Sequence, residues 1–125
     1  MKILLAEDDD SIRTIADLSL RRVGGHEVVH AQDGNQTLLL VKKERPDLIL
    51  LDVMMPNLNG FEACKRMKSD PETKDIPIIF LTARAQAHEM QHGISIGALG
   101  YILKPFDPLT LHLQIEEILR SHEAA

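Results

Sequence analysis

Cysteine is nearly absent. Cys64 stands alone, which excludes an internal disulfide and fits a reducing compartment; its plainest role is that of a small apolar helix residue. There is no Trp, only one Tyr and three Phe, so platforms on which nucleobases could stack are scarce. The net charge is −5 and no basic stripe interrupts it, which argues against direct nucleic-acid binding by these residues. No apolar run approaches the length of a membrane span. The opening MKILLAEDDD turns acidic after a few apolar residues and lacks a secretory hydrophobic region, so a cytoplasmic location is expected.

What remains is the composition of a soluble globular protein: 125 residues, 44% hydrophobic and 26% charged, enough for one domain with one core. Repeats, linkers and low-complexity segments are missing, and a single domain over 1–125 is expected.

The chain is organised around DLILLDVMMPNLNG, residues 47–60. Its short apolar run ends in Asp52 and is followed by Pro56, Asn57, Asn59 and Gly60, the pattern of a strand buried on both faces that leaves the core at a carboxylate. Four further strands are read over Lys2–Ala6, 26–32, 76–81 and 99–103. Between them lie helices. The first starts near Ser11 and carries Ile12, Ile15, Ala16, Leu20 and Val23 on one face until Gly24-Gly25 stops it, with Asp9 or Asp10 as its cap. Others follow over about 35–44 (ended by Pro46), from Gly60 with Phe61, Cys64 and Met67 inward, over about 85–94, and over roughly 108–122 with Leu111, Ile115, Ile118 and Leu119 inward. Leu39 and Leu40 sit beside this periodicity and are expected at the surface. Strands alternating with helices predict an α/β, doubly wound, five-stranded parallel sheet with five helices.

Polar residues fall where the strands end: Glu7 and Asp8 after the first, Asp52 after the third, Thr82 after the fourth and Lys104 after the fifth. In a flavodoxin-like strand order of 2-1-3-4-5 all of these meet in one crevice at the topological switch point. Carboxylates crowded there repel and raise one another's pKa, so cations are needed. Lys104 is one, and an all-oxygen, partly hydrated seat suits Mg2+ as another. A carboxylate can also attack phosphorus, a reaction helped by a metal ion, an ammonium and a hydroxyl arranged around the phosphoryl oxygens.

Glu7-Asp8, then Leu48-Ile49-Leu50-Leu51-Asp52 with Met55-Pro56 and Gly60, then Leu81-Thr82-Ala83, and finally Tyr101 with Lys104-Pro105-Phe106 give the chain its resemblance to response-regulator receiver domains of two-component systems, from about Lys2 to Leu119. The resemblance implies that Asp52 accepts a phosphoryl group from a phosphohistidine on a sensor histidine kinase or histidine phosphotransfer protein. It implies Mg2+ held by Asp8 directly, Glu7 through water, Asp52 and the backbone carbonyl of Met54. Lys104, ahead of a cis bond to Pro105, would pair with the phosphoryl oxygens beside Thr82 and Ala83. Thr82 and Tyr101 resemble a switch pair that remodels the face of the fourth helix, fifth strand and fifth helix for a downstream protein target. Ile12 and Ile15 belong to the first helix's inward face and are also candidates for docking the phosphodonor. Such chemistry on the protein's own Asp52 would not make it an enzyme. Met54 and Arg84 occupy positions that tune phosphoryl lifetime in the family. Ala98-Leu99-Gly100 replaces an acidic pair used by many transcription-factor receivers to dimerise. The chain reads as a stand-alone receiver or a piece of a longer regulator.

Blander and rival readings exist. Glu7 to Asp10 could be a solvated turn with Asp9 and Asp10 as loop and cap, Asp52 a turn-starting residue and Tyr101 a strand aromatic. A haloacid-dehalogenase-like phosphatase also uses an aspartyl phosphate, but it carries a second acid two residues after the nucleophile, where this chain has Met54. His88-Glu89-Met90-Gln91-His92 matches the H-E-x-x-H zinc-peptidase pattern, with Glu116 or Glu117 as conceivable third ligand. That reading leaves the Asp-Asp-Thr-Lys set without a purpose.

Overall fold

Apolar runs and turn residues resolve into a regular alternation in the computed structural model, which describes residues 1–83 and 86–123. In chain order the elements are β1 (Lys2–Ala6), α1 (Asp10–Leu18, continued by a π-helical segment Ser19–Val23), β2 (Glu27–Ala31), α2 (Gly34–Glu44), β3 (Leu48–Asp52), α3 (Gly60–Lys68), β4 (Ile78–Thr82), α4 (Ala87–Ser95), β5 (Gly100–Leu103) and α5 (Leu111–Glu123). All pairings are parallel and the order is β2-β1-β3-β4-β5, as the strand pattern predicts. Alternate residues of each strand point to opposite faces, which splits the core in two. Ile3, Leu5, Leu50, Ile79 and Leu81 pack with Ala16, Leu20, Leu111 and Ile115 of α1 and α5. Leu4, Ala6, Ile49, Leu51, Ile78 and Phe80 pack with Val41, Ala63, Cys64 and Met67 of α2 and α3. Burial pushes the Cys64 thiol up to about 11, so it stays neutral and serves as a small apolar group.

Side-chain caps start three helices: Asp9 accepts from the Ile12 N–H (3.0 Å), Asp33 from Gln36 (2.8 Å) and Asn59 from Glu62 (2.9 Å). Asp9, not Asp10, is therefore the cap of α1. Several predicted bounds move for identifiable reasons. β2 is shorter than 26–32 because β1 offers partners only to Glu27–Ala31. β4 starts at Ile78 because Pro77 has no N–H for the ladder, and the preceding residues turn around buried Thr73, whose hydroxyl donates to the Met67 carbonyl at 2.7 Å. β5 begins one residue late, at Gly100. α5 begins at Leu111 because Asp107 first ties up the Leu109, Thr110 and Leu111 amides in a turn. The expected start of α4 at Ala85 lies outside the described residues.

Three surface expectations also change. Ile15 and Val23 are 45% and 43% exposed, so the inward face of the first helix is narrower than its apolar spacing implies, and Ile12 is only half-buried. Leu39 is exposed as expected, but Leu40 packs partly against the core. Among the described residues no helix is long and apolar enough to cross a membrane.

The loop from β3 to α3 folds tightly back on the strand end, with the Gly60 N–H donating to the Val53 carbonyl at 2.9 Å. A β-carbon at Gly60 would overlap the carbonyl oxygen of Asp52 and lie 3.0 Å from Cα of Val53, both backbone atoms. Gly60→Ala should therefore cost about 1–3 kcal/mol in urea unfolding. An unchanged midpoint would mean that the loop yields without strain.

Candidate functional site

The parallel sheet delivers its polar residues to one edge. Glu7, immediately after β1, is fully buried and held on every side. Its N–H donates to the Ala31 carbonyl (3.1 Å), its carbonyl accepts from Arg13 Nη1 (2.9 Å), and its Oε2 accepts from the Asp9 N–H (3.1 Å). Asp52, last residue of β3, is 3% exposed, with Oδ1 accepting from the Met54 N–H at 3.3 Å. Asp8 is exposed beside them. One carboxylate oxygen from each of Glu7, Asp8 and Asp52 lies within 4.8 Å of the others, the one such group of metal-competent ligands among the described residues.

Lys104 reaches this cluster from the end of β5. Its Nζ is 2.5 Å from Glu7 Oε1 and 3.1 Å from Asp52 Oδ1, with only 13% of the side chain exposed. Its backbone N–H donates to the carbonyl of Thr82 at 2.8 Å, tying the end of β5 to the end of β4, and the Lys104–Pro105 bond is cis. Thr82 is buried in β4, while Ala83 just beyond it is exposed. Met54 points out to solvent with 64% exposure.

Electrostatics follow from this geometry. Burial, then the hydrogen bond and charge of Glu7, push the Asp52 carboxyl up to about 8, against the downward pull of Lys104. Burial pulls Lys104 down, but the adjoining Glu7 and Asp52 carboxylates outweigh it and leave the ammonium above its ordinary range. The donors are all oxygen, grouped and short of positive charge, so they fit a hard divalent cation such as Mg2+.

Two other expected groups lie near but outside the crevice. Ile12 and Ile15 line, with Ala83, Lys104, Pro105 and Phe106, an open apolar groove of about 390 Å³. Tyr101 sits opposite Phe80 in the ladder and faces α4, with its hydroxyl donating to the Glu89 carbonyl at 2.7 Å and its ring 5.5 Å from that of Phe80. The ring is thus already tucked under α4.

His88 and His92 of the H-E-x-x-H match are exposed on α4, the His92 ring resting edge-on against Phe61, and among the described residues they gather no third ligand. Glu116 and Glu117 belong to α5, which covers the other face of the sheet from Phe61 and Phe80. Arg84 lies outside the described residues. Sequence reading passed over Arg13, whose guanidinium also pairs with Asp10; the available signal was a cation one helical turn after an acidic run.

The raised Asp52 pKa has a definite sign. The unfolded carboxyl, near 3.8, gives up its proton first, so without metal the folded state loses stability as the pH rises from about 4 toward 8. In EDTA, Asp52→Asn should be more stable than the parent at pH 8, the gap closing as the pH falls to about 4. Urea unfolding across that range checks it; a gap independent of pH would show that Asp52 is ionised throughout.

Comparison with known proteins agrees with this geometry. Residues 3–116 match the response regulator receiver domain family. The chain is 45% identical over 121 residues to the transcriptional regulatory protein AfsQ1 of Streptomyces coelicolor, covering 97% of this chain and 52% of that protein. It is 39% identical over 124 residues to the alkaline phosphatase synthesis transcriptional regulatory protein PhoP of Bacillus subtilis, covering 99% and 50%. It thus spans about half the length of these relatives. Chemotaxis protein CheY4 of Vibrio cholerae superposes with a TM-score of 0.87 at 36% identity, over 94% of this chain and 97% of that one. The chain belongs to the response-regulator receiver-domain family of two-component signalling.

Proposed function

We propose that Asp52 is the phosphoacceptor of a histidine-to-aspartate relay and that the Asp52 switch is read by a protein partner. The observation that carries this reading is the grouping of the Glu7, Asp8 and Asp52 carboxylates within 4.8 Å, with the Lys104 ammonium 3.1 Å from Asp52. An Asp52 carboxylate oxygen attacks phosphorus; the N–P bond of the donor phosphoimidazole breaks, and its electron pair stays on the imidazole nitrogen. Glu7, Asp8, Asp52 and the Met54 carbonyl would hold Mg2+, which when bound supplies positive charge against the phosphoryl oxygens. Lys104 supplies a second positive charge from a fixed position, and Thr82 and Ala83 border the same space. Deprotonation of Asp52 is the condition for attack, and both Lys104 and a bound cation favour it over the isolated site's raised pKa.

The donor fits the groove beside the crevice. Ile12 and Ile15 expose apolar surface next to Lys104 and Phe106, which suits a helical face of a sensor histidine kinase or histidine phosphotransfer protein presenting its phosphohistidine. Output belongs to the face around Tyr101, where Met90, Gln91, Ile94, Ser95 and Gly100 line a second groove of about 470 Å³. Transfer to and from its own side chain leaves the protein a signalling element and not an enzyme acting on external substrates. The phosphatase alternative lacks its second acid, since Met54 occupies that position with its side chain in solvent. Two relatives are transcriptional regulators, so the expectation of no direct nucleic-acid contact applies to these 125 residues alone.

Incubation with acetyl phosphate and Mg2+ should add one phosphoryl group by intact mass, absent in Asp52→Asn and strongly reduced in EDTA. A parent protein that stays unmodified would remove the phosphoacceptor reading, and steady release of phosphate from an external phosphomonoester would favour the phosphatase.

A further inference from the structure

A glycine within a helix is disfavoured relative to alanine and needs a reason. Gly93 lies in the last turn of α4, buried between His92 and Ile94. A β-carbon there would overlap the Tyr101 hydroxyl, lie 2.8 Å from its Cζ and 3.0 Å from Phe80 Cε2. The space a side chain would take is filled by the tip of the tyrosine, whose hydroxyl donates to the Glu89 carbonyl one helical turn earlier on α4. On the outer side of the same aromatic, Met90, Gln91, Ile94, Ser95 and Gly100 leave the open groove described above. The ring therefore has two places available, a slot under the helix and a groove beside it.

We propose that Gly93 is the positioning residue for Tyr101: its missing side chain leaves the slot that the inward ring fills, and the groove beside it stays free. A side chain at position 93 closes the slot and drives the ring outward into the groove lined by Met90 and Ile94. The consequence for signalling rests on the receiver reading, in which the groove belongs to the output face. The slot itself does not. Residue 93 then biases the balance between the inward and outward ring, the equilibrium on which a charge at Asp52 would act.

The composition supplies a clean reporter. Tyr101 is the one tyrosine and there is no Trp, so tyrosine fluorescence and the phenolate absorbance both report on this ring alone. Burial raises the Tyr101 pKa above its ordinary value in the inward position. In unphosphorylated Gly93→Ala the phenol should titrate back toward about 10, and acrylamide should quench the fluorescence more strongly than in the parent. A folded Gly93→Ala with parental quenching and titration would overturn the proposal. If Gly93→Ala fails to fold, Gly93→Ala/Tyr101→Ala decides. Recovery of folding in the double variant supports a clash with the ring, and failure to recover shows that Gly93 serves something else. Acetyl phosphate labelling of Asp52 in parent and Gly93→Ala reports separately on the receiver chemistry, so a failed phosphosite and a failed slot are told apart.

Discussion

Two buried carboxylates share one ammonium at the carboxyl edge of the sheet, and much of the rest of the structure serves that arrangement. Glu7 is fully buried and Asp52 nearly so, a placement whose desolvation cost is large unless charge is returned nearby. Lys104 returns it from β5, reaching past β4 to oxygens carried at the ends of β1 and β3. One ammonium does not balance Glu7, Asp8 and Asp52 together. The shortfall appears as a carboxyl pushed up to about 8 at Asp52, and it makes the edge a seat for added positive charge. The fit of this oxygen cluster to a divalent cation and the raised Asp52 carboxyl are two faces of the same imbalance.

Holding such a cluster together demands rigid backbone around it. The amides and carbonyls near Glu7 are committed to Ala31, Arg13 and Asp9; the Lys104 amide is committed to Thr82; and the chain after Asp52 is pressed against its own strand end, an approach that only a glycine at position 60 permits. Both faces of the sheet are sealed by helices, so the strand ends have little freedom to separate. Thus the carboxylates cannot relieve their repulsion by moving apart. They relieve it by protonation, by the ammonium or by a bound cation.

The sheet order, the faces of α3 and α5 and the residues at the strand ends were legible because each rests on a local pattern: an apolar run, a turn residue, a polar residue where the run stops. Features that depend on distant partners were not. The ladder from β1 decides where β2 ends, and Pro77 decides where β4 begins. The apolar spacing of Ile12 and Ile15 looks like core, yet Ile15 is 45% exposed and both line a groove beside Lys104, which helical spacing alone does not reveal. Arg13 carries no motif, and its bond to the Glu7 carbonyl exists only once β1 and α1 are placed together. Gly93 gives no helical signal except a weakness, which the Tyr101 ring explains in three dimensions.

The distance between the charged edge and the tyrosine slot is short along the chain. Phe80 and Thr82 are alternate residues of β4 and so point to the same face; Phe80 meets the Tyr101 ring at 5.5 Å, and Thr82 ends the strand in the crevice. Under the proposed switch, a displacement of the Thr82 side chain toward a charged group at Asp52 would alter packing two residues along β4 from the partner of the ring, without requiring the sheet backbone to move. Such coupling can remain small in energy and still change the population, provided the ring's two places lie within a few kcal/mol of each other. Moving the ring out empties the slot under Gly93 and costs a cavity, so the balance depends on how far the apolar groove lined by Met90 and Ile94 offsets that loss.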